Sequence, residues 1–570
     1  MMFSNFPAAR LLGVVVSLSL TACSGLAPAP DFVDEPETRA AQSLIEPWKS
    51  DIAPGVAVAV AMEGEPVWMD AAGLANLEHA VPIAPDTVFQ VASVAKQFTA
   101  FAVLLLASEG AISLDDDIRD YIPELFEPPQ PVTVRHLLDH AGGLREQHTL
   151  TTMAGWLDDD IRTRDQVMAL NARQRGVNFP AGSEIEYSNT GYTLLAELVA
   201  RISGMSFDEF TRTRMFEPIG MTATRFDGDR NALIRGRATS YYPSRDSFAP
   251  IIAAGETIGS TGLHTNAPDL LAWGRNFETR DVGNAFVFDQ MAERNHADNG
   301  DAAIFGRGQE RRIHNGLETW SHGGRDAGYR SFLLRVPAHG FTLVILSNRT
   351  DFDTADLAFD LVDLFLGDRP EYRLPASPDW TPATRAELDQ YVGHYEVYPG
   401  IIFTISANDD GLGFAQYGAP GGETTILPQI GPHEFRLSAT PDLALVFEAP
   451  QNAQSPGLRY RIGLHGTIPG RRIELDPFDP ASMNLADYAG VYESAELATR
   501  YVLNVQNGVL VADHARRPSF SLTPYQTDSF LGLSGPLQAI AFTRDASGAV
   551  TGMTASASLA ENVRFERVTP

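Results

Sequence analysis

Tyr391-Val392-Gly393-His394-Tyr395 recurs 97 positions downstream as Tyr488-Ala489-Gly490-Val491-Tyr492, and the repetition continues beyond that segment. Phe403-Thr404-Ile405, a turn at Asp410-Gly411, Phe435 and Phe447 are matched by Tyr501-Val502-Leu503, Asn507-Gly508, Phe530 and Phe542, at offsets of 95 to 98. Self-similarity at a fixed period means one supersecondary unit built twice. Asp-Gly and Asn-Gly are strong hairpin signals, and the runs beside them are short and rich in aromatic and β-branched residues. The last third of the chain is therefore expected to form two related antiparallel β-barrel domains, over 384–480 and 481–570. Prolines at 370, 375, 378 and 382 mark a linker over 369–383, where an extended chain is favoured over a helix.

Upstream the pattern is mixed. Gly55 to Val60, a turn at Glu63-Gly64-Glu65 and Pro66-Val67-Trp68 read as a β-hairpin. Lys96 to Glu109 carries Phe98, Phe101, Ala102 and Leu105 at helical spacing, with Gly110 as the stop, and Leu194 to Ile202 repeats that pattern before Gly204. Phe332 to Val336 and Phe341 to Leu346 read as adjacent strands. Strands at both ends with helices between them predict an α/β (α+β) layer domain over 40–368.

Arg10, the apolar run Leu11 to Leu20 and Thr21-Ala22-Cys23 suit a signal peptide over 1–22, since ten apolar residues are too few to span a bilayer. Leu20-Thr21-Ala22-Cys23 resembles the lipobox of a bacterial lipoprotein, which implies cleavage before Cys23, acylation of Cys23 and a tether over 23–39. The expected location is the periplasm or the outer membrane, with membrane contact through that anchor alone; an ordinary secretory signal is the alternative. Cys23 is the chain's sole cysteine, so neither an intrachain disulfide nor a cysteine nucleophile is expected in the folded body. The net charge of −29 argues against a nucleic-acid partner, which needs a basic patch.

Of 43 basic residues only Lys49 and Lys96 are lysine, and Lys96 stands three positions after Ser93. Arginine stays protonated, whereas a buried lysine amine can lose its proton and accept another. One helical turn brings the two side chains to the same face, and a serine hydroxyl is a weak nucleophile until a base takes its proton. Glu186-Tyr187-Ser188-Asn189 lies just before the second helical pattern. A tyrosine hydroxyl near an ammonium ionises more easily and can pass a proton to a leaving group. An asparagine two residues on can present its amide to a substrate. In Trp320-Ser321-His322-Gly323-Gly324-Arg325 the paired glycines suit either close approach to a ligand or a simple bulge.

In this order Ser-x-x-Lys, Tyr-x-Asn and His-x-Gly resemble the three motifs of the serine β-lactamase and penicillin-binding-protein superfamily. Val134 to Leu144, Pro180-Ala181-Gly182 and Ser260 to Thr265 also resemble segments of its class C-like branch, so the likeness covers roughly 45–365. It implies a β-lactamase/transpeptidase-like catalytic domain, with the two C-terminal barrels lipocalin-like. It also implies Ser93 as the acylated nucleophile, Lys96 as its proton acceptor and Tyr187 as proton donor to the leaving group. Asn189, His322 and Gly324 would contact substrate, and the backbone N–H groups of Ser93 and Arg325 would form the oxyanion hole. No metal or other cofactor is expected.

Many members carry Lys-Thr-Gly at the third motif, whose cation attracts a substrate carboxylate. His322 stands there in this chain, which weakens the case for β-lactams or D-Ala-D-Ala, although Arg325 or Arg330 would restore a cation. His-x-Gly followed by two β-barrels resembles the D-aminopeptidase group, in which a loop of the last domain reaches the active site; here 512–537 is a candidate stretch for that loop, and no residue in it is singled out. The expected function is a serine hydrolase acting on a D-amino-acid-containing peptide. Alternatives are a carboxylesterase, a β-lactamase or DD-carboxypeptidase, and a non-enzymatic envelope sensor or scaffold.

Overall fold

The computed structural model describes residues 35–294, 305–373, 381–409, 411–418, 424–437, 443–448, 457–462, 467–475 and 478–568. The export signal, Cys23, Asp410 and much of the expected linker lie outside the described residues.

Seven antiparallel strands form the upstream sheet: β1 (Val56–Met62), β2 (Glu65–Ala72), β3 (Phe305–Gly306), β4 (Gln309–His314), β5 (Leu317–Asp326), β6 (Tyr329–Val336) and β7 (Phe341–Ser347), in the spatial order β3-β4-β5-β6-β7-β1-β2. The N-terminal hairpin closes onto the last strand, with Val58 opposite Ile345. Alternation in β1 explains why the sheet is covered on both faces. Val56, Val58 and Val60 point to one side, where they pack with helices α1 (Pro36–Ile45) and α6 (Thr354–Leu366). Ala57, Ala59 and Ala61 point to the other, into the larger core. A strand rich in apolar residues at every position is what two covered faces require.

That larger core is built around α2 (Ala95–Ser108), of whose fourteen residues twelve are buried. A helix buried all round must be enclosed by other elements rather than lie on a surface. Phe98 and Phe101 pack against Trp273 of α5 (Ala267–Thr279), with ring centroids 4.3 and 5.0 Å apart, and the indole N–H of Trp273 donates to Gln97 at 2.8 Å. On another side α2 meets α4 (Asn189–Ser203), which ends at Gly204 in a left-handed conformation. Helix α3 (Gln147–Met153) packs beside α4.

Downstream, nine strands between Gly393 and Ile473 form one antiparallel sheet, and eight between Gly490 and Val568 form a closed barrel. The internal repeat has a physical basis. In each unit the second tyrosine donates its hydroxyl to the backbone of the first: Tyr395 to the Tyr391 carbonyl and Tyr492 to that of Tyr488, both at 2.9 Å. Tyr391 stacks on Phe447 and Tyr488 packs on Phe542. Arg472 caps the Val392 carbonyl as Arg567 caps that of Ala489. The repeated aromatic residues lie in the core of each unit.

The closed barrel shares its core with the catalytic body, because Leu150, Met153 and Ala154 pack among its tyrosines and phenylalanines. Tyr501 donates to the Met153 carbonyl at 2.8 Å. Arg145 reaches Glu496 at 2.6 Å, with both side chains at most 5% exposed, and donates to the carbonyls of Glu561 and Asn562. Glu496 also accepts from the N–H groups of Arg175 and Arg564. Removing one partner strands a buried charge, so Arg145→Met is expected to cost about 3–5 kcal/mol of unfolding free energy. Arg145→Met combined with Glu496→Leu should recover only part of that loss, because the Arg175 and Arg564 N–H groups still lose their acceptor. Guanidinium denaturation of the single and double variants reads both, and a single variant as stable as wild type would refute the role of this pair.

Candidate active site

Ser93 lies in a single 3-10 turn, Ala92–Val94, that runs directly into α2. Ala92, immediately before it, has a φ of 47°, a left-handed conformation that costs a non-glycine residue about 1–2 kcal/mol. The turn is held from three directions. The Val91 N–H donates to the Leu263 carbonyl at 2.9 Å, the Val94 N–H donates back to the Val91 carbonyl, and Ser331 donates its hydroxyl to the same carbonyl at 2.7 Å. Val91, Ala92 and Val94 are buried while Ser93 is only half-buried, so the turn presents its one hydroxyl to the cleft.

Lys96 is fully buried. Its Nζ stands 2.8 Å from Asn189 Oδ1, 2.8 Å from the Ser260 carbonyl and 3.2 Å from Ser93 Oγ. Burial pulls its pKa down from the usual lysine range to about 7, against the opposing pull of the Glu146 and Asp326 carboxylates. The two nearer partners are carbonyl oxygens, which only accept. A neutral amine that spends its two hydrogens on them turns its lone pair toward the serine hydroxyl. This is the geometry of a base. The Ser260 carbonyl gets there because Gly259, at φ 96°, has no side chain: a Cβ would run into Ala196 and the Tyr192 carbonyl on α4.

Tyr187 departs from expectation in its electrostatics. Lys96 Nζ sits over its ring, 4.7 Å from the centroid, rather than beside its hydroxyl. Burial therefore dominates and raises the phenol above its ordinary pKa, with a hydrogen bond to Ser93 opposing and Glu310 and Glu146 adding to the rise. The resting group is a protonated phenol, a donor. His140 stacks on the same ring at 4.6 Å and accepts from the Ser188 N–H through Nδ1. Burial, Lys96 and His322 all hold His140 well below its usual pKa, so it is neutral.

Ser188 caps α4 by accepting from the Gly191 N–H, which makes Asn189 the first helical residue and aims it back at Lys96. Asn189 Nδ2 donates to Glu146 Oε1 at 3.0 Å. Sequence reading missed Glu146. It has no fixed spacing from the three motifs, and the only available signal was its place just after the Val134-to-Leu144 segment.

The ladder between β4 and β5 ends at Ser321, so from His322 to Asp326 that edge of β5 is not paired with β4. Gly324 meets the nucleophile turn there: a Cβ would collide with the Val91 carbonyl and Ser331 Oγ. Register with β6 is continuous from Trp320 to Asp326, so close approach is the reason for the paired glycines and the bulge reading is set aside. His322 donates Nδ1–H to the Gly323 carbonyl at 2.6 Å, and its ring lies 6.0 Å from that of Tyr187. Arg325 is exposed, whereas the Arg330 guanidinium is turned onto the carbonyls of Ala327 and Tyr329.

The last barrel does reach this region, through a segment outside the candidate stretch. Within 512–537, Arg517 and His514 contact Trp156 and Gly155, past the end of α3. The turn at 558–562 comes closer to the reactive groups. The Leu559 carbonyl accepts from the Glu146 N–H at 2.9 Å and from Asn178 Nδ2, while the Glu561 N–H donates to Asn178 Oδ1. Asn178 Nδ2 also donates to Glu186, beside Tyr187. Burial, reinforced by Glu561 and Glu184, raises the Glu186 carboxyl to about 7.

With Lys96 as proton acceptor the reactive form would be the neutral amine, so kcat/KM on a chromogenic ester or amide should rise with pH through about 7 and level off above it. Lys96→Met should lower kcat/KM by about 10²–10⁴-fold and abolish that rise. A rise surviving in Lys96→Met would assign the proton acceptor elsewhere.

The Beta-lactamase family model matches residues 41–366. The chain is 24% identical over 525 residues to a D-aminopeptidase of Brucella anthropi, covering 90% of this chain and 95% of that one. It is 28% identical over 296 residues to a D-aminopeptidase of Gluconobacter oxydans, covering 52% and 56%. Among solved structures, the octameric penicillin-binding protein homologue from Pyrococcus abyssi superposes with a TM-score of 0.53 at 19% identity, over 84% of this chain and 98% of that one. SurE does so with a TM-score of 0.54 at 21%, over 77% and 99%. These two likenesses bear on the fold alone. A serine and a buried lysine one turn apart, a tyrosine over that lysine and a glycine-bearing strand edge against the nucleophile turn are thus found in a chain most of whose catalytic body the family model spans. The protein is a serine hydrolase and belongs to the β-lactamase family.

Proposed function

We propose that this protein is a D-aminopeptidase working through a Ser93 acyl-enzyme. Lys96 takes the Ser93 proton as Oγ bonds to the substrate carbonyl carbon. The backbone N–H groups of Ser93 and Arg325 receive the oxyanion, each worth about 2.7–4 kcal/mol of barrier. Tyr187 gives its proton to the departing amine, and the phenolate then takes one from the water that attacks the acyl carbon, while the Lys96 ammonium returns its proton to Ser93 Oγ as the ester bond breaks. Asn189 keeps a second Nδ2 hydrogen for a substrate carbonyl, since Glu146 uses only one.

The observation that carries the substrate class is the charge at the mouth. His322 stands where many members carry a lysine, leaving the exposed Arg325 as the cation of that motif, and the Glu186 carboxyl beside Tyr187 feels the Glu561, Glu184 and Glu146 carboxylates. Such a cleft favours a free ammonium over a free carboxylate, which fits an N-terminal residue and disfavours a C-terminal one. The D configuration is supported by the D-aminopeptidases that match 90% of this chain. A fluorophosphonate should label the wild type and leave Ser93→Ala unmodified by intact mass. D-aminoacyl amides should exceed their L enantiomers in kcat/KM, and N-acetylation should abolish turnover. Faster turnover of N-acetylated amides, or of simple esters alone, would move the assignment to a carboxylesterase.

We further propose, from the apolar run Leu11 to Leu20 and Leu20-Thr21-Ala22-Cys23, that the enzyme lies outside the inner membrane, tethered through a lipid on Cys23. Metabolic labelling with an alkyne fatty acid should mark the wild type and not Cys23→Ala. Equal labelling of both would refute the anchor.

A further inference from the structure

Glu146 belongs to none of the three motifs, yet it is 4% exposed and its carboxylate faces two donors. Oε1 accepts from Asn189 Nδ2 at 3.0 Å and Oε2 accepts from the Thr149 N–H at 2.9 Å, the cap of α3. Asn189 then turns its Oδ1 to Lys96 at 2.8 Å. A relay therefore runs from α3 through Glu146 and Asn189 to the amine. Its polarity is forced. Both neighbours of the carboxylate are donors, so only a group accepting on both atoms fits, and a glutamine there must turn its NH₂ against one of them. If the Glu146 link is lost, the Asn189 amide is free to reverse, and its NH₂ would then face the Lys96 nitrogen.

Glu146 is itself set from outside the catalytic body. Its N–H donates to the Leu559 carbonyl of the last barrel, and its neighbour Arg145 is tied to Glu496, Glu561 and Asn562 of the same barrel. The segment Arg145-Glu146 is thus anchored by the barrel on its backbone side and delivers a carboxylate to the site on its side-chain side. We propose that Glu146 is a positioning residue of the hydrolytic site, fixing the Asn189 amide and balancing the charge of Lys96, and that the C-terminal barrel acts on catalysis by placing it. This rests on the reading of Lys96 as the base.

The test compares pH profiles of kcat/KM for wild type, Glu146→Gln and Glu146→Asp, with thermal melting measured alongside. The Glu146 charge holds the Lys96 pKa up, so neutralising it should shift the rising limb of Glu146→Gln to lower pH by about one unit. Its plateau should fall about ten- to a hundredfold, the range for losing one hydrogen bond to a charged group. Glu146→Asp keeps the charge but is too short to satisfy both donors; its limb should stay in place while its plateau falls. An unshifted limb in Glu146→Gln would overturn the proposal whatever the activity, because a purely structural cap would lower stability without moving that limb. Should Glu146→Gln fail to fold, wild-type kcat/KM in Glu146→Asp would overturn it independently. A wild type with no limb near neutrality would remove the Lys96 reading first, and the proposal with it.

Discussion

The site depends on one amine held out of water. Lys96 is enclosed on a helix that is itself enclosed, and it lies among carbonyl oxygens with carboxylates only further off. Were a carboxylate in direct contact, the ammonium would be too stable to give up its proton near neutrality. Were there no anion nearby, burial alone would drive the pKa lower and leave a feebler base. Placing Glu146 one residue away, behind Asn189, is an intermediate solution that keeps the amine close to the pH at which it works.

This requirement accounts for much of the surrounding architecture. A buried, partly charged amine demands a rigid shell, and the shell comes from distant parts of the chain: the Ala92–Val94 turn supplies Ser93, α2 supplies Lys96, α4 supplies Asn189, and Ser260 supplies its carbonyl across the glycine at 259. The strained Ala92 persists because Leu263 and Ser331 both grip the turn on Val91. Gly324 lets β5 lie against that same turn. The strain at the nucleophile is sustained by sheet and loop contacts formed elsewhere in the fold.

The barrels extend the argument from chemistry to selection. They are built by repeating one unit, with paired tyrosines of which the second donates its hydroxyl to the backbone carbonyl of the first. Among the described residues the second copy meets the cleft through a turn and a buried ion pair lying outside the repeated residues. Duplication supplied a stable body; local residues at Glu496 and 558–562 made one copy part of the active site.

The repeat, the hairpin and strand pair of the catalytic body, and the Ser93-Lys96 and Tyr187-Asn189 spacings were all legible in the chain, because each follows from side-chain period or from residues one turn apart. Covalent neighbours carry such information directly. The sequence could not show that Tyr187 lies face-on to Lys96 and keeps its proton, that Gly324 answers a collision with Val91, or that Glu146 stands behind Asn189. Nor could it show which turn of the last barrel meets Glu146 and Asn178. Each of these depends on burial and on contacts between residues far apart in the chain, and neither desolvation nor distance across a folded interior has a local signature. Which atoms can do chemistry was set by residue type and spacing; their protonation and their aim were decided only when the tertiary structure excluded water and brought the barrel to the cleft.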